Sequence, residues 1–103
     1  MKIVWNPAAE DEWAEIIDYC GYNYGQAEAE KKNKRLAKVL QYLESYPEIG
    51  HINEDLVGKK YEYREFIVMK PIKVVYFIEG EDIVIAAFVD MRRDPKKLKK
   101  QLK

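Results

Sequence analysis

The stretch "YEYREFIVMKPIKVVYFIEGEDIVIAAFV", residues 61–89, decides the fold of this chain. It contains three runs rich in β-branched and aromatic residues, at 61–69, 72–78 and 83–89, separated by "KP" and by "EGED". Both separators suit hairpin turns, so three successive antiparallel strands are predicted. Because residues 83–89 are apolar on both faces, we expect this strand in the middle of the sheet, with helices on one side and another element over part of the other.

The residues before this stretch have the periodicity of helices. Asn6 followed by Pro7 suits a helix start, because asparagine accepts a capping hydrogen bond and proline is tolerated at the first position. Gly25 separates this first helix from a second helical pattern over residues 26–45, and two helices with almost no linker are expected to form an antiparallel hairpin. The inward stripe of the first helix is predicted to be Ala9, Trp13, Ile16, Ile17, Cys20 and Tyr24. Four tyrosines are expected to pack between helices and sheet: Tyr22, Tyr24, Tyr42 and Tyr46.

The remaining segments complete the predicted order. Residues 2–5 are a short strand candidate, and "PEIGHINEDLVG", residues 47–58, is predicted to be an irregular connection that contains His51. Asp94 and Pro95 repeat the cap-then-proline signal, and two leucines four apart predict a short basic C-terminal helix or tail. The expected fold class is α+β, with the N-terminal strand and helical hairpin packed on a small, mainly antiparallel sheet. From the length, we expect residues 1–103 to form one domain.

Charge is balanced overall but not along the chain. Residues 1–58 carry six Lys and Arg against eleven Asp and Glu, a net charge of −5, whereas residues 59–103 carry twelve against seven, a net charge of +5. The zero total argues against a general nucleic-acid coat protein. A surface formed by the second half is expected to attract phosphates or an acidic protein segment.

Several classes of protein are disfavoured by what the sequence lacks. The N-terminal residues do not resemble a secretory signal, and the longest apolar run, residues 83–89, is far too short to span a membrane. Cys20 is the single cysteine, so neither a disulfide framework nor a multi-thiol metal site is available. We therefore expect a cytoplasmic protein without a membrane contact, a metal or another cofactor.

Four motifs, in this order and spacing, resemble the RelE/ParE superfamily of bacterial toxins: "LESYPEIG" (43–50), "YREFIV" (63–68), "IKVVYFI" (72–78) and "VDMRRDPKKL" (89–98). Trp13 and Ile17 of the first helix add to the resemblance, which covers most of the chain. It implies the toxin of a type II toxin-antitoxin system of the plasmid-stabilisation kind. Such a toxin is held inactive by an antitoxin whose C-terminal segment wraps around it as a helix or an added strand.

The resemblance implies two possible targets. RelE-type members cleave messenger RNA on the ribosome with a basic face of the sheet, and Arg64, Lys73 and Arg93 fall on the corresponding basic positions. Arg92, Lys96 and Lys97 are then expected to bind nucleic acid. This chemistry needs no metal, because fixed guanidinium charge stabilises the phosphorane that forms when a ribose 2′-hydroxyl attacks the adjacent phosphate.

The sequence leaves three functions open. The first is the RelE-type nuclease, but residues 96–103 contain neither the tyrosine nor the histidine that often acts as general acid in these enzymes. ParE-type members keep the fold without the catalytic set, are not enzymes, and poison DNA gyrase by binding it. A third possibility is a non-toxic interaction module on a decayed toxin scaffold. For the arginines, the structural alternative is an ion pair with a neighbouring acid such as Glu62, Asp90 or Asp94.

Overall fold

The secondary-structure elements follow one another in the predicted order. The computed structural model describes residues 1–103. A three-residue 3-10 turn at Glu54–Leu56 lies between the second and third strands. The elements are β1 (Lys2–Trp5), α1 (Pro7–Tyr24), α2 (Gln26–Ser45), β2 (His51–Ile52), β3 (Arg64–Met69), β4 (Ile72–Glu79), β5 (Asp82–Asp90) and α3 (Pro95–Gln101). The α+β fold class, the helical hairpin and the short C-terminal helix are therefore confirmed.

One five-stranded sheet organises the molecule, in the order β1-β5-β4-β3-β2. Strands β3, β4 and β5 are antiparallel neighbours, as predicted, while β1 pairs parallel to β5. The parallel pairing is possible because the helical hairpin carries the chain away from β1 and back over the sheet. The apolar strand β5 is interior, as its two-sided pattern requires, although β4 holds the central position.

The segment predicted to be irregular contains a short strand. His51 and Ile52 form β2, which pairs antiparallel with Glu65 and Arg64 of β3. A two-residue strand has no measurable alternation in the sequence, so no periodic signal indicated it. As a consequence, β2 extends the sheet only beside the first two residues of β3.

The helical hairpin covers one face of the sheet, called the helix face below. The indole ring of Trp13 lies 5.0 Å from the ring of Phe88, and that of Trp5 lies 5.4 Å from the same ring. These contacts join α1, β1 and β5 around one aromatic side chain. The fully buried members of this core include Ala9, Leu43, Val68, Val74, Tyr76, Ile83 and Ile85.

The C-terminal segment covers the other face, called the tail face below. Leu98 and Leu102 of this segment are buried against Val75, Phe77 and Ala87 of the sheet. The backbone N–H of Lys60 donates to the carbonyl of Lys103 at 2.8 Å, which holds the end of the chain beside the start of the β3 region. The element expected over the second face of the sheet is thus α3 with the residues after it.

The expectation that four tyrosines pack between helices and sheet was wrong for Tyr22, Tyr24 and Tyr46, whereas the ring of Tyr42 lies 6.0 Å from that of Phe66 of β3. Tyr22 is 92% exposed and Tyr24 67%, while Tyr46 is 58% and Tyr42 44% exposed. The first two lie in the last turn of α1, beyond its last buried residue, Cys20. The inward stripe of α1 therefore ends one turn earlier than the apolar pattern suggested.

Replacing Leu98 with alanine should destabilise the fold by about 2 kcal/mol, near the low end for a buried leucine because α3 lies at the periphery. The loss should also increase hydrogen exchange of the α3 amides and of the Lys60 amide. Urea unfolding and amide exchange measure the two effects. Lys99→Ala, at an exposed position of the same helix, serves as the control, and equal destabilisation by both changes would contradict the packing described.

Candidate functional site

The side chain of Arg64 donates hydrogen bonds to the loop that follows α2. Its Nη1 donates to the carbonyl of Gly50 at 2.8 Å and to that of Glu48 at 3.1 Å, and its Nη2 lies 3.6 Å from a carboxylate oxygen of Glu62. Only 17% of the side chain is exposed. Arg64 thus binds the backbone of the chain itself through the groups that would otherwise contact a phosphate.

Tyr76 of the neighbouring strand β4 forms hydrogen bonds with the same loop. Its buried hydroxyl accepts from the N–H of Gly50 at 2.9 Å and donates to the carbonyl of Pro47 at 2.8 Å. Burial raises the pKa of Tyr76, so the hydroxyl keeps the proton that it donates. A Cβ atom at position 50 would lie 2.6 Å from this oxygen, which explains why glycine occupies the turn.

Lys73 lies on the opposite face of the sheet from Arg64. Arg64 is directly opposite Tyr76, so both side chains are on the helix face. Lys73 is three residues from Tyr76 along β4, and alternation places it on the tail face. The structure therefore does not bring these two predicted site residues together.

The ammonium group of Lys73 is paired with a buried acid. Its Nζ lies 2.5 Å from Oε2 of Glu65, a residue only 8% exposed. Apart from this ion pair, Oε2 of Glu65 has no hydrogen-bond partner. At this distance the attraction between opposite charges dominates, and each charge compensates the burial of the other. Glu65 thus neutralises the charge that Lys73 would offer to a ligand.

The two arginines after β5 differ in their partners. Arg92 donates to both carboxylate oxygens of Asp90, at 3.0 and 2.7 Å. These side-chain hydrogen bonds, helped by the backbone N–H of Arg92, lower the pKa of Asp90 to about 2. The exposed side chain of Arg93 has no carboxylate within 4 Å. Arg93 is therefore the one predicted catalytic residue whose charge is unpaired.

The predicted nucleic-acid-binding lysines follow on α3. Lys96 and Lys97 are exposed in the first turn of this helix, after the cap formed by Asp94. Together with Arg92 and Arg93 they form an exposed basic segment, residues 92–97. Of the three predicted catalytic cations, Arg64 and Lys73 do not share one face of the sheet.

A half-buried acid that sequence reasoning missed connects α1 with the C-terminal segment. Glu12 accepts from the N–H of Phe88 and from the side-chain amide of Gln101, both at 3.2 Å. Since β1 ends opposite Ile85, the N–H of Phe88 has no strand partner, and Glu12 supplies one. Burial raises the pKa of Glu12. An acid near the start of a helix has an ordinary surface role, so its position in the sequence gave no signal.

Other kinds of site are not formed. No group of three or more His, Cys, Asp and Glu residues is arranged to hold a metal ion. No helix has both the length and the apolar character needed to cross a membrane.

The comparison with protein families agrees with this fold. A model of the family described as "ParE toxin of type II toxin-antitoxin system, parDE" matches residues 3–95. The chain belongs to the ParE toxin family. The superfamily resemblance seen in the sequence is thereby confirmed. Among curated proteins, none matches this ParE-family chain.

Solved structures provide similar folds at low sequence identity. A chain of the chromosomal ParDE toxin-antitoxin system from P. aeruginosa superposes with a TM-score of 0.71 and 18% identity, covering 87% of this chain and 95% of that one. The YoeB dimer from Staphylococcus aureus gives a TM-score of 0.53 at 18% identity, and the heterotetrameric YoeB-YefM toxin-antitoxin complex from the same organism gives 0.53 at 19%. Each YoeB match covers 84% of this ParE-family chain and 92% of the other. At these identities the likeness concerns the fold alone.

Replacing Arg64 with alanine should destabilise the protein by about 1–3 kcal/mol, because two loop carbonyls lose a charged donor. Arg93→Ala should leave stability nearly unchanged, since its side chain has no ion-pair partner. Thermal and urea unfolding of the two variants give the comparison. A stable Arg64→Ala protein would show that the loop does not depend on the guanidinium.

The raised pKa of Glu12 predicts a pH dependence of stability. Its ordinary value is 4.5, and the folded state holds the proton more tightly than the unfolded state does. The Glu12 contribution to the free energy of unfolding is therefore fully present below that value and is lost as pH rises through the folded pKa. Glu12→Gln should remove this decline in urea unfolding measured across the acidic range. Glu30→Gln, an exposed change on α2, should retain it.

Proposed function

We propose that the chain is the toxin of a type II toxin-antitoxin system that inhibits growth by binding DNA gyrase, and that a cognate antitoxin holds it inactive in the cytoplasm. Membership of the ParE family supports the toxin assignment. The choice of gyrase over messenger RNA rests on the arrangement of the cations.

The dispersal of the predicted catalytic cations is the observation that favours gyrase binding. Cleavage of a phosphodiester requires its charge-stabilising groups to reach one phosphate together. Arg64 and Lys73 lie on opposite faces of the sheet, and each is occupied by partners within the protein. A mode of action that depends on binding a protein needs no such convergence.

The exposed basic segment is the part of the surface best suited to contact the target. It presents Arg93 with an unpaired charge and two exposed lysines beside it. The hydrogen bond to Asp90 raises the pKa of Arg92, and Tyr19 and Tyr24 of α1, which are 65% and 67% exposed, raise it to a smaller extent. A surface that combines exposed tyrosine with arginine has the composition of residues that dominate binding at protein interfaces.

Two assays on the purified protein test the proposed mechanism. The protein should inhibit supercoiling of relaxed plasmid by gyrase and leave messenger RNA intact in a translation reaction. Arg93→Glu should weaken gyrase inhibition, whereas Lys34→Glu, the same kind of change at an exposed position of α2, should not.

The opposite outcomes identify the alternatives. Messenger RNA cleavage that Arg93→Ala abolishes, with gyrase unaffected, would replace the proposal with the RelE-type reaction and restore the catalytic prediction for Arg64, Lys73 and Arg93. Inactivity in both assays, together with normal growth on expression, would indicate the decayed, non-toxic scaffold.

A further inference from the structure

Basic side chains of α2 and of the turn after β3 line an open cleft beside the sheet. The cleft lies between α2 and the end of β3, and we call it the basic cleft. Its volume of about 410 Å³ falls in the range of roughly 300–1,000 Å³ that sites for small ligands occupy. The lining consists of four cations, three apolar residues and one acid: Lys31, Lys32, Arg35, Lys70, Ile67, Val68, Met69 and Glu28.

Three of the four cations have no acidic partner in the protein. Lys31 pairs with Glu28 at 3.2 Å. Lys32, Arg35 and Lys70 have no carboxylate within 4 Å, so the cleft is positively charged on a protein whose formal net charge is zero. Lys32 and Arg35 are three residues apart on α2, and like charges at this helical spacing repel each other. A bound anion would offset that repulsion.

The guanidinium group of Arg35 is held in place by the backbone of β3. Its Nε donates to the carbonyl of Val68 at 2.8 Å. Val68 lies at the register shift between Ile67 and Met69, where the irregular backbone departs from the ladder with β4. This bond leaves both Nη groups available to a ligand. Because the side chain is already fixed, it loses less conformational freedom when its planar fork binds a phosphate.

The arrangement of the cations indicates the charge and the length of the ligand. Lys32 and Arg35 belong to α2, whereas Lys70 follows β3, so the unpaired charges come from two elements around the cleft. A chain of phosphates carries several negative charges along its length and can contact all three cations at once. Arginine and lysine both bind phosphate well, the first as a fork and the second as a point charge.

We propose that the basic cleft binds a small polyphosphate ligand, whose phosphates contact Lys32, Arg35 and Lys70. Inorganic polyphosphate and nucleoside triphosphates both provide this chemistry. In a nucleoside triphosphate, the base would lie against Ile67, which lines the cleft and is 42% exposed. Such a site is independent of the gyrase inhibition proposed above.

Titration of ¹⁵N-labelled protein with inorganic tripolyphosphate tests the proposal. The amide signals of residues 67–70 and of residues 28–35 should shift, and the affinity should fall as salt is added, because salt screens these charges. Inorganic phosphate at the same ionic strength should bind at least about tenfold more weakly, because it cannot contact all the cations at once.

Adenosine triphosphate without magnesium distinguishes the two sources of the polyphosphate. Tighter binding than that of tripolyphosphate, with shifts of the methyl signals of Ile67 and Met69, would identify a nucleotide as the ligand. Equal binding of the two probes would show that the phosphate chain alone is recognised.

Charge-reversal variants locate the site. Lys32→Glu combined with Lys70→Glu should weaken binding of tripolyphosphate roughly tenfold or more, because two attractive contacts become repulsive. The matched variant Lys34→Glu combined with Lys38→Glu makes the same change of net charge at two α2 lysines that do not line the cleft. It should bind nearly as the unchanged protein does. Circular dichroism checks that both double variants are folded.

A charge-conserving variant separates a built site from general attraction. Arg35→Lys keeps the positive charge and removes the planar fork. It should weaken binding of tripolyphosphate severalfold, whereas attraction by net charge alone would leave the affinity unchanged. Lys34→Arg, which alters the same pair of residue types outside the cleft, should have no effect.

Several results would overturn the proposal. These are no shift at residues 67–70 with tripolyphosphate, equally tight binding of inorganic phosphate, equal weakening by both double variants, or an unchanged affinity in Arg35→Lys. Shifts caused by single-stranded RNA but not by tripolyphosphate would assign the cleft to nucleic acid instead. Any of these results with gyrase inhibition intact would reject this site and leave the proposed function in place.

Discussion

The two-residue period of a β-strand determines where the charged groups of this protein act. Because the side chain of Tyr76 lies on the helix face, every second side chain of β4 lies on that face too, and the side chain of Lys73 lies on the tail face. Arg64 is paired with Tyr76 across the two strands, so its side chain also lies on the helix face. The basic residues of the second half are therefore divided between two surfaces, although the sequence places them within one positively charged region.

The division gives the two strand cations different structural roles. Arg64 and Tyr76 together hold the loop between α2 and β2, with four hydrogen bonds to backbone groups of residues 47–50. Lys73 instead compensates Glu65 on the tail face. Both residues therefore use their charge inside the protein, whereas Arg93 of the C-terminal segment has no carboxylate within 4 Å.

Local signals in the sequence were sufficient for most of the fold. The Asn6-Pro7 start and Gly25 placed the helices, and the β-branched runs placed three strands, because each of these features acts within a few residues. The pairing of strands is not local. The faces of Arg64 and Lys73 are related only through the pairing of β3 with β4, in which Arg64 lies opposite Tyr76 and Ile67 opposite Lys73, and spacing along either strand does not reveal that pairing. The contacts of Glu12 and Arg35 cross 76 and 33 positions of the chain, and no pattern within α1 or α2 marks them.

The placement of the two tryptophans has a practical consequence for spectroscopy. Trp5 and Trp13 both lie against the ring of Phe88, where α1, β1 and β5 meet. The tail face contains tyrosine and phenylalanine but no tryptophan. Intrinsic tryptophan fluorescence therefore reports on one region only, the contact between α1 and the sheet around Phe88. The emission spectrum can stay the same when the C-terminal segment separates from the tail face of the sheet. Detecting that separation requires a fluorescent dye attached to the C-terminal segment.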